Sequence, residues 1–195
     1  MKKNYRKIFV SIIIMILSLQ CLAQEEFFPD STINGVLFLS NPQSSRIFYK
    51  DISKIHLQDE ISSYNPFGYS FVAFVNKDTS QYLIAFEFDG DVINSFSAFE
   101  IGYVTDSFLK NVNAYYVTDY DVFKTESEIC LNMSSSQLFD LKGKYCLDKC
   151  RNKFFYIIKA DNSIFVQRYK APEYYMIFTI EKDAVCKIEF GFTYP

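Results

Sequence analysis

Apolar positions recur mostly at period two, the spacing of strands whose side chains alternate between two faces. Residues 69–75 and 81–88 are aromatic and β-branched runs. The polar joint Asn76-Lys77-Asp78-Thr79-Ser80 lies between them and predicts a hairpin. In the second run Tyr82, Ile84, Phe86 and Phe88 share one side. Leu83, Ala85 and Glu87 share the other, which predicts a half-buried strand with Glu87 on its polar face. Asp89-Gly90-Asp91 is a turn, followed by an extended run at 92–104; shorter runs occupy 35–39 and 46–49. Phe108, Leu109 and Val112 stand at helical spacing and predict a short helix over 106–112. Tyr115, Tyr116 and Tyr120 read as edge-strand residues with wet hydroxyls.

The pattern changes after Thr125. Ile129-Cys130-Leu131 is a brief extended segment. Ser134 followed by Gln137 is a capping box, opening a helix of about two turns. Leu138, Phe139 and Leu141 supply its buried side, and Gly143 a left-handed stop. Strands are predicted at 154–159, 163–169, 173–180 and 184–192, with Glu181-Lys182-Asp183 as the last hairpin turn. In the final strand Cys186, Ile188, Phe190 and Phe192 point one way, and Lys187 and Glu189 the other. The expected fold class is α+β: mostly antiparallel sheet, with a short helix packed on a C-terminal meander.

The first residues read as a secretory leader. Lys2, Lys3, Arg6 and Lys7 precede an apolar run at 8–19, and Cys21-Leu22-Ala23 places small residues where signal peptidase needs them. Cleavage after Ala23 is the expectation. Lipidation at Cys21 and a retained anchor are the rivals: Gln20 stands where a lipoprotein signal wants a small residue, and the run is short for a bilayer span. The expected organisation is a leader over 1–23, a β-rich region over 24–125 and a helix-plus-sheet layer over 126–195. Without the leader the chain holds 16 basic and 23 acidic residues, net -7, concentrated as -8 over 24–125 against +1 over 126–195. That balance argues against a nucleic-acid partner. No integral membrane span is expected in the mature chain.

Four cysteines remain after the leader: Cys130, Cys146, Cys150 and Cys186. An even number in an exported chain points to two disulfides. Cys146 and Cys150 sit in one polar connection where a turn can join them, which leaves Cys130 for Cys186. Free structural thiols, a four-thiolate zinc and a catalytic thiol rank below, in that order. The single histidine, His56, makes triads and most zinc chemistry poor fits. Glu87, Asp89 and Asp91 cluster at one turn, as a carboxylate-based hydrolase could use, and they read first as a solvated hairpin end. No cofactor or metal is expected. Lys142, Lys144, Lys149, Arg151 and Lys153 form a basic stretch which, with Lys187 and Glu189 on the wet side of the last strand, is the expected partner surface.

Residues 129–134, Ile-Cys-Leu-Asn-Met-Ser, followed by Leu138, Leu141 and Gly143, resemble the opening of the SmpA/OmlA-like family and the related β-lactamase-inhibitor-protein fold. Asn132 stands where that pattern has Gly, and Tyr145 where it has Pro. The resemblance covers about 126–195. It implies a short helix followed by antiparallel sheet, and a protein that binds other proteins rather than one that catalyses. The functional expectation is therefore an exported, non-enzymatic interaction or accessory protein with a protein partner. The alternatives are an immunity protein against an exported toxin and a carboxylate-based hydrolase.

Overall fold

The computed structural model describes residues 29–41, 69–87, 96–143, 148–150 and 152–193. The expected leader, the run expected at 46–49, His56 and the turn expected at Asp89-Gly90-Asp91 lie outside them. The described chain starts with a small hairpin, β1 (Thr32–Ile33) and β2 (Leu37–Phe38), whose turn holds Asn34 at φ 52° and Gly35 at φ 65°. It buries Ile33 and Leu37 completely. The run expected at 35–39 is thus the return arm of this hairpin.

The other strands are β3 (Ser70–Val75), β4 (Gln81–Glu87), β5 (Ala98–Tyr103), β6 (Tyr116–Val117), β7 (Asp148–Cys150), β8 (Lys153–Lys159), β9 (Glu173–Glu181) and β10 (Ala184–Thr193). They form one sheet in the order β6-β3-β4-β5-β10-β9-β8-β7, antiparallel except for the β3–β6 pair. Among the described residues three α-helices accompany it: α1 (Asp106–Asn111), α2 (Ser135–Lys142) and α3 (Ile164–Arg168). The fold is α+β and mostly antiparallel, with the short helix α2 over the C-terminal strands. The pair β5–β10 carries the sheet across the division drawn at 125/126. Ile33, Leu83, Phe99, Leu138, Phe178 and Phe190 belong to the same apolar cluster.

That cluster fills the first face of the sheet. There β1–β2, α2 and α3 contribute Leu37, Leu138 and Val166. A smaller cluster on the second face joins Phe71, Ala73, Val75, Tyr82 and Ile84 to Phe108 and Val112 of the α1 region. β4 is therefore buried on both sides, not half-buried, and Glu87 is buried with the first-face residues rather than wet. A continuous apolar run cannot alternate in hydropathy when both of its faces are covered.

Several local signals hold. Thr105 caps α1 through the Phe108 amide, and Ser134 and Gln137 form the reciprocal box at α2. Lys182 (φ 48°) and Asp183 (φ 66°) make the two-residue turn between β9 and β10, a left-handed pair whose twist suits a hairpin. Asn132, in the position where the resembling pattern has Gly, takes φ 67°, a conformation that Gly supplies and Asn tolerates.

Other expectations fail for identifiable reasons. Residues 163–169 are not a strand. Ser163 caps the Val166 amide, and one helical turn sets Phe165 and Tyr169 side by side, ring centroids 5.1 Å apart, both against Phe192. Gly143 is right-handed (φ -59°, ψ -34°), so α2 has no left-handed stop. On α2 it is Leu138 and Lys142, four apart, that turn inward, leaving Leu141 49% exposed and Phe139 exposed beside Phe154. In β10 a bulge between Val185 and Lys187 shifts the register. Val185 takes the core place expected for Cys186, which becomes the extra, half-buried residue. Lys149 and Cys150 lie in the edge strand β7, not in a connecting turn.

Candidate functional site

The register of five strands sets three rows of side chains on the second face. Tyr82, Gly102, Lys187, Thr179 and Lys153 form one row. Ile84, Glu100, Glu189, Ile177 and Phe155 form the next, and Phe86, Ala98, Gly191, Tyr175 and Ile157 the third. The apolar cluster around Phe108 covers the β3–β4 side of these rows. Among the described helices, the buried residues of α2 and α3 belong to the opposite face.

Glu100 and Glu189 are cross-strand partners, an arrangement that like charges make unfavourable. Lys187 resolves it: its Nζ lies 2.9 Å from Glu100 Oε2 and 2.7 Å from Glu189 Oε1. Burial lowers the Lys187 pKa, but the two carboxylates outweigh that and hold it above its ordinary value. The Tyr82 hydroxyl donates to Glu100 Oε1 at 2.8 Å. It reaches there because Gly102 has no side chain: a Cβ at that position would stand 2.5 Å from the Tyr82 hydroxyl. Phe108 stacks on the Tyr82 ring at 4.5 Å and fixes its plane. Burial, with Glu189, Glu100 and Tyr69 adding their charge, pushes the Tyr175 phenol well above its usual pKa. Exposure rises across the cluster, from 11% for the Glu100 side chain to 22% for Glu189 and 34% for Lys187. Ile157, two strands from Gly191 in its row, is 41% exposed. The arrangement is an ion triad on a sheet face that also carries Tyr175, Ile177, Phe155 and Ile157, with Thr179 and Lys153 along one row.

The expected partner surface is only partly assembled. Lys153, Lys187 and Glu189 share this face. Lys142 does not: it is buried on the first face, its Nζ 3.3 Å from Asp30 Oδ2, with the two side chains 5% and 1% exposed. Asp30 also accepts from Thr125 Oγ1 at 3.0 Å and from the Ser127 amide at 2.9 Å, and its carbonyl accepts from the Tyr174 hydroxyl at 2.8 Å. A buried charge of this kind needs such partners. Lys149 is placed by its backbone in β7, and Lys144, Arg151 and Cys146 lie outside the described residues.

Cys130 and Cys186, expected as a disulfide, are both free thiols here. Burial pushes the pKa of each upward. Glu87 and Glu100 stand on opposite faces, so no acid pair forms between them. Among the described residues no group of three His, Cys, Asp or Glu could hold a metal. No helix among them is long and apolar enough to cross a membrane.

Glu100, Tyr82 and Gly102 were not singled out as site residues from the sequence. Glu100 had one signal, a single charge inside the run Ala-Phe-Glu-Ile-Gly-Tyr. Tyr82 and Gly102 had none, because their contact depends on strand register. Compared with protein-family models, with curated proteins and with solved structures, the chain matches none.

Proposed function

We propose that this chain is an exported, non-enzymatic protein-interaction protein whose partner docks on the second face of β8, β9 and β10. The observation that supports it is the ion triad Glu100–Lys187–Glu189 set beside Tyr175, Ile177, Phe155 and Ile157 on one sheet face. Fixed charges beside apolar surface specify a partner's register, while the apolar residues supply affinity. The leader at 1–23 and the resemblance of 126–195 to exported binding proteins point the same way.

The test is capture from envelope extracts under mild crosslinking. The native chain should retain a protein that Ile157→Glu loses, with the variant's thermal midpoint unchanged. Absence of any captured protein, or equal capture by the variant, would count against this face. The net charge of -7 without the leader supports one further reading, an immunity protein for a basic exported toxin. A toxin-like reading frame beside this one is its discriminating observation.

A further inference from the structure

We infer that Cys130 and Cys186 are redox partners, closing a disulfide between the 130–134 segment and the bulge of β10 when the chain meets an oxidising compartment. The setting rests on the proposed export; the pairing rests on topology alone. Both backbone groups of Val185 bond to the 132–133 segment: Asn132 N–H to the Val185 carbonyl at 2.8 Å, and Val185 N–H to the Met133 carbonyl at 2.9 Å. Ser134 bridges Ala184 in the same antiparallel sense. That segment therefore runs along the flank of β10 opposite β9, continuing the place that β5 holds beside residues 187–191. A turn closed from Met133 N–H to the Cys130 carbonyl at 3.4 Å, with Asn132 left-handed, folds Cys130 back toward Met133, beside Cys186's neighbour. In this structure the Cys186 thiol turns toward β9, donating to the Thr179 carbonyl at 3.4 Å, so closing the pair swings it about its Cα–Cβ bond to the flank that holds Cys130.

The same topology removes the competitors that include Cys150. Cys150 pairs with Lys153, which pairs with Thr179, which pairs with Lys187 beside Cys186. Three strand spacings separate Cys150 from β10, about 14 Å. Cys130 stands one spacing further, on the far flank. A disulfide needs Cα atoms within about 7 Å. Of the three pairings open to Cys130, Cys150 and Cys186, only Cys130–Cys186 joins neighbouring segments. In closing, each thiol loses its proton and the pair gives two electrons to a disulfide oxidant. With glutathione disulfide, one thiolate forms a mixed disulfide, the other displaces glutathione, and two reduced glutathiones leave.

The experiment takes the full chain, purified reduced, and incubates it with glutathione disulfide before peptide mapping without reductant. The expected product is a peptide pair joining Cys130 to Cys186, lighter by two hydrogens and reversed by dithiothreitol. The oxidised chain should melt higher than the reduced chain, and Cys130→Ser and Cys186→Ser should each abolish that difference. A Cys130–Cys150 or Cys150–Cys186 peptide, a dimer linked through either thiol, or stable mixed disulfides on both would overturn the pairing. Because the oxidant is supplied in vitro, this result is independent of export. Recovery of the chain with its leader intact would overturn the export reading and leave the pairing standing.

Discussion

The two faces of the sheet each hold an ion cluster, and the clusters behave as different physical objects. On the first face Asp30 and Lys142 are sealed among apolar side chains, and the aspartate is further held by Thr125 and Ser127. On the second face Lys187 joins Glu100 and Glu189 with shorter contacts but a graded exposure that keeps the ammonium at the surface. The shorter contacts belong to the weaker cluster, because solvent screens a partly exposed pair while a buried charge has no substitute for its partner. The first cluster fastens the segment before β1 to α2, to the 125–127 turn and, through Tyr174, to β9. The second joins strands that already lie side by side, β4, β5 and β10, and shapes a surface.

Four substitutions test this contrast. Phe190, wholly buried on the first face and edge-on to Phe99 at 5.5 Å, is the reference for core packing. Phe190→Ala should cost about 4 kcal/mol in urea unfolding, as buried Phe truncations do. A cost near that of a surface substitution would mean that the strand faces are reversed. Asp30→Ala leaves the Lys142 ammonium buried without its carboxylate, and should cost about 3 kcal/mol. If the same titration shows under 1 kcal/mol, the N-terminal fastening is not the one described here.

The close approach of β5 and β10, beneath the second face, ranks third. A Cβ on Gly191 would lie 2.4 Å from the Ser97 carbonyl oxygen and 2.5 Å from the Ala98 Cα, both backbone atoms that cannot swing away. Gly191→Ala should therefore cost about 2 kcal/mol by overpacking. An unchanged midpoint would refute the tight β5–β10 register.

Lys187→Met completes the series at about 1 kcal/mol, discounted for the exposure of the ammonium. Its pH dependence carries a sign. The folded-state pKa is raised above the ordinary 10.5, so the contribution is complete below that value and is lost as pH rises through the folded pKa. The gap between native and variant should hold from about pH 6 to about pH 9, where the lysine is charged in both states, and shrink above about pH 10.5. A gap that grows with alkalinity would reverse the assignment.

Legibility in the sequence followed the range of the interaction. The hairpin across 76–80, the cap of α2 and the β9–β10 turn are set by residues within a few positions of each other, and all stand as the pattern suggests. The region 163–169 misled because Ile164-Phe165-Val166 is a β-branched and aromatic run that suits a strand as well as a short helix. Packing of Phe165 and Tyr169 on Phe192, far along the chain, chose the helix. Lys187 and Glu189 were visible as a polar side of β10. Glu100, which completes their cluster, became their partner only through the β5–β10 pairing.

The sequence by itself determined that the chain is built of alternating strands with short capped helices, since alternation and capping are local chemistry. It also determined the supply of charges and thiols. Tertiary structure decided which charges are buried. A lysine beside a leucine at the end of α2 is inward or outward according to one helical step, and Asp30, far away in the chain, stabilises the step that buries Lys142. It decided the core side of β10 too, through a bulge that seats Val185 where alternation placed Cys186. Strand register and burial are properties of segments in contact, and no window of neighbouring residues contains them.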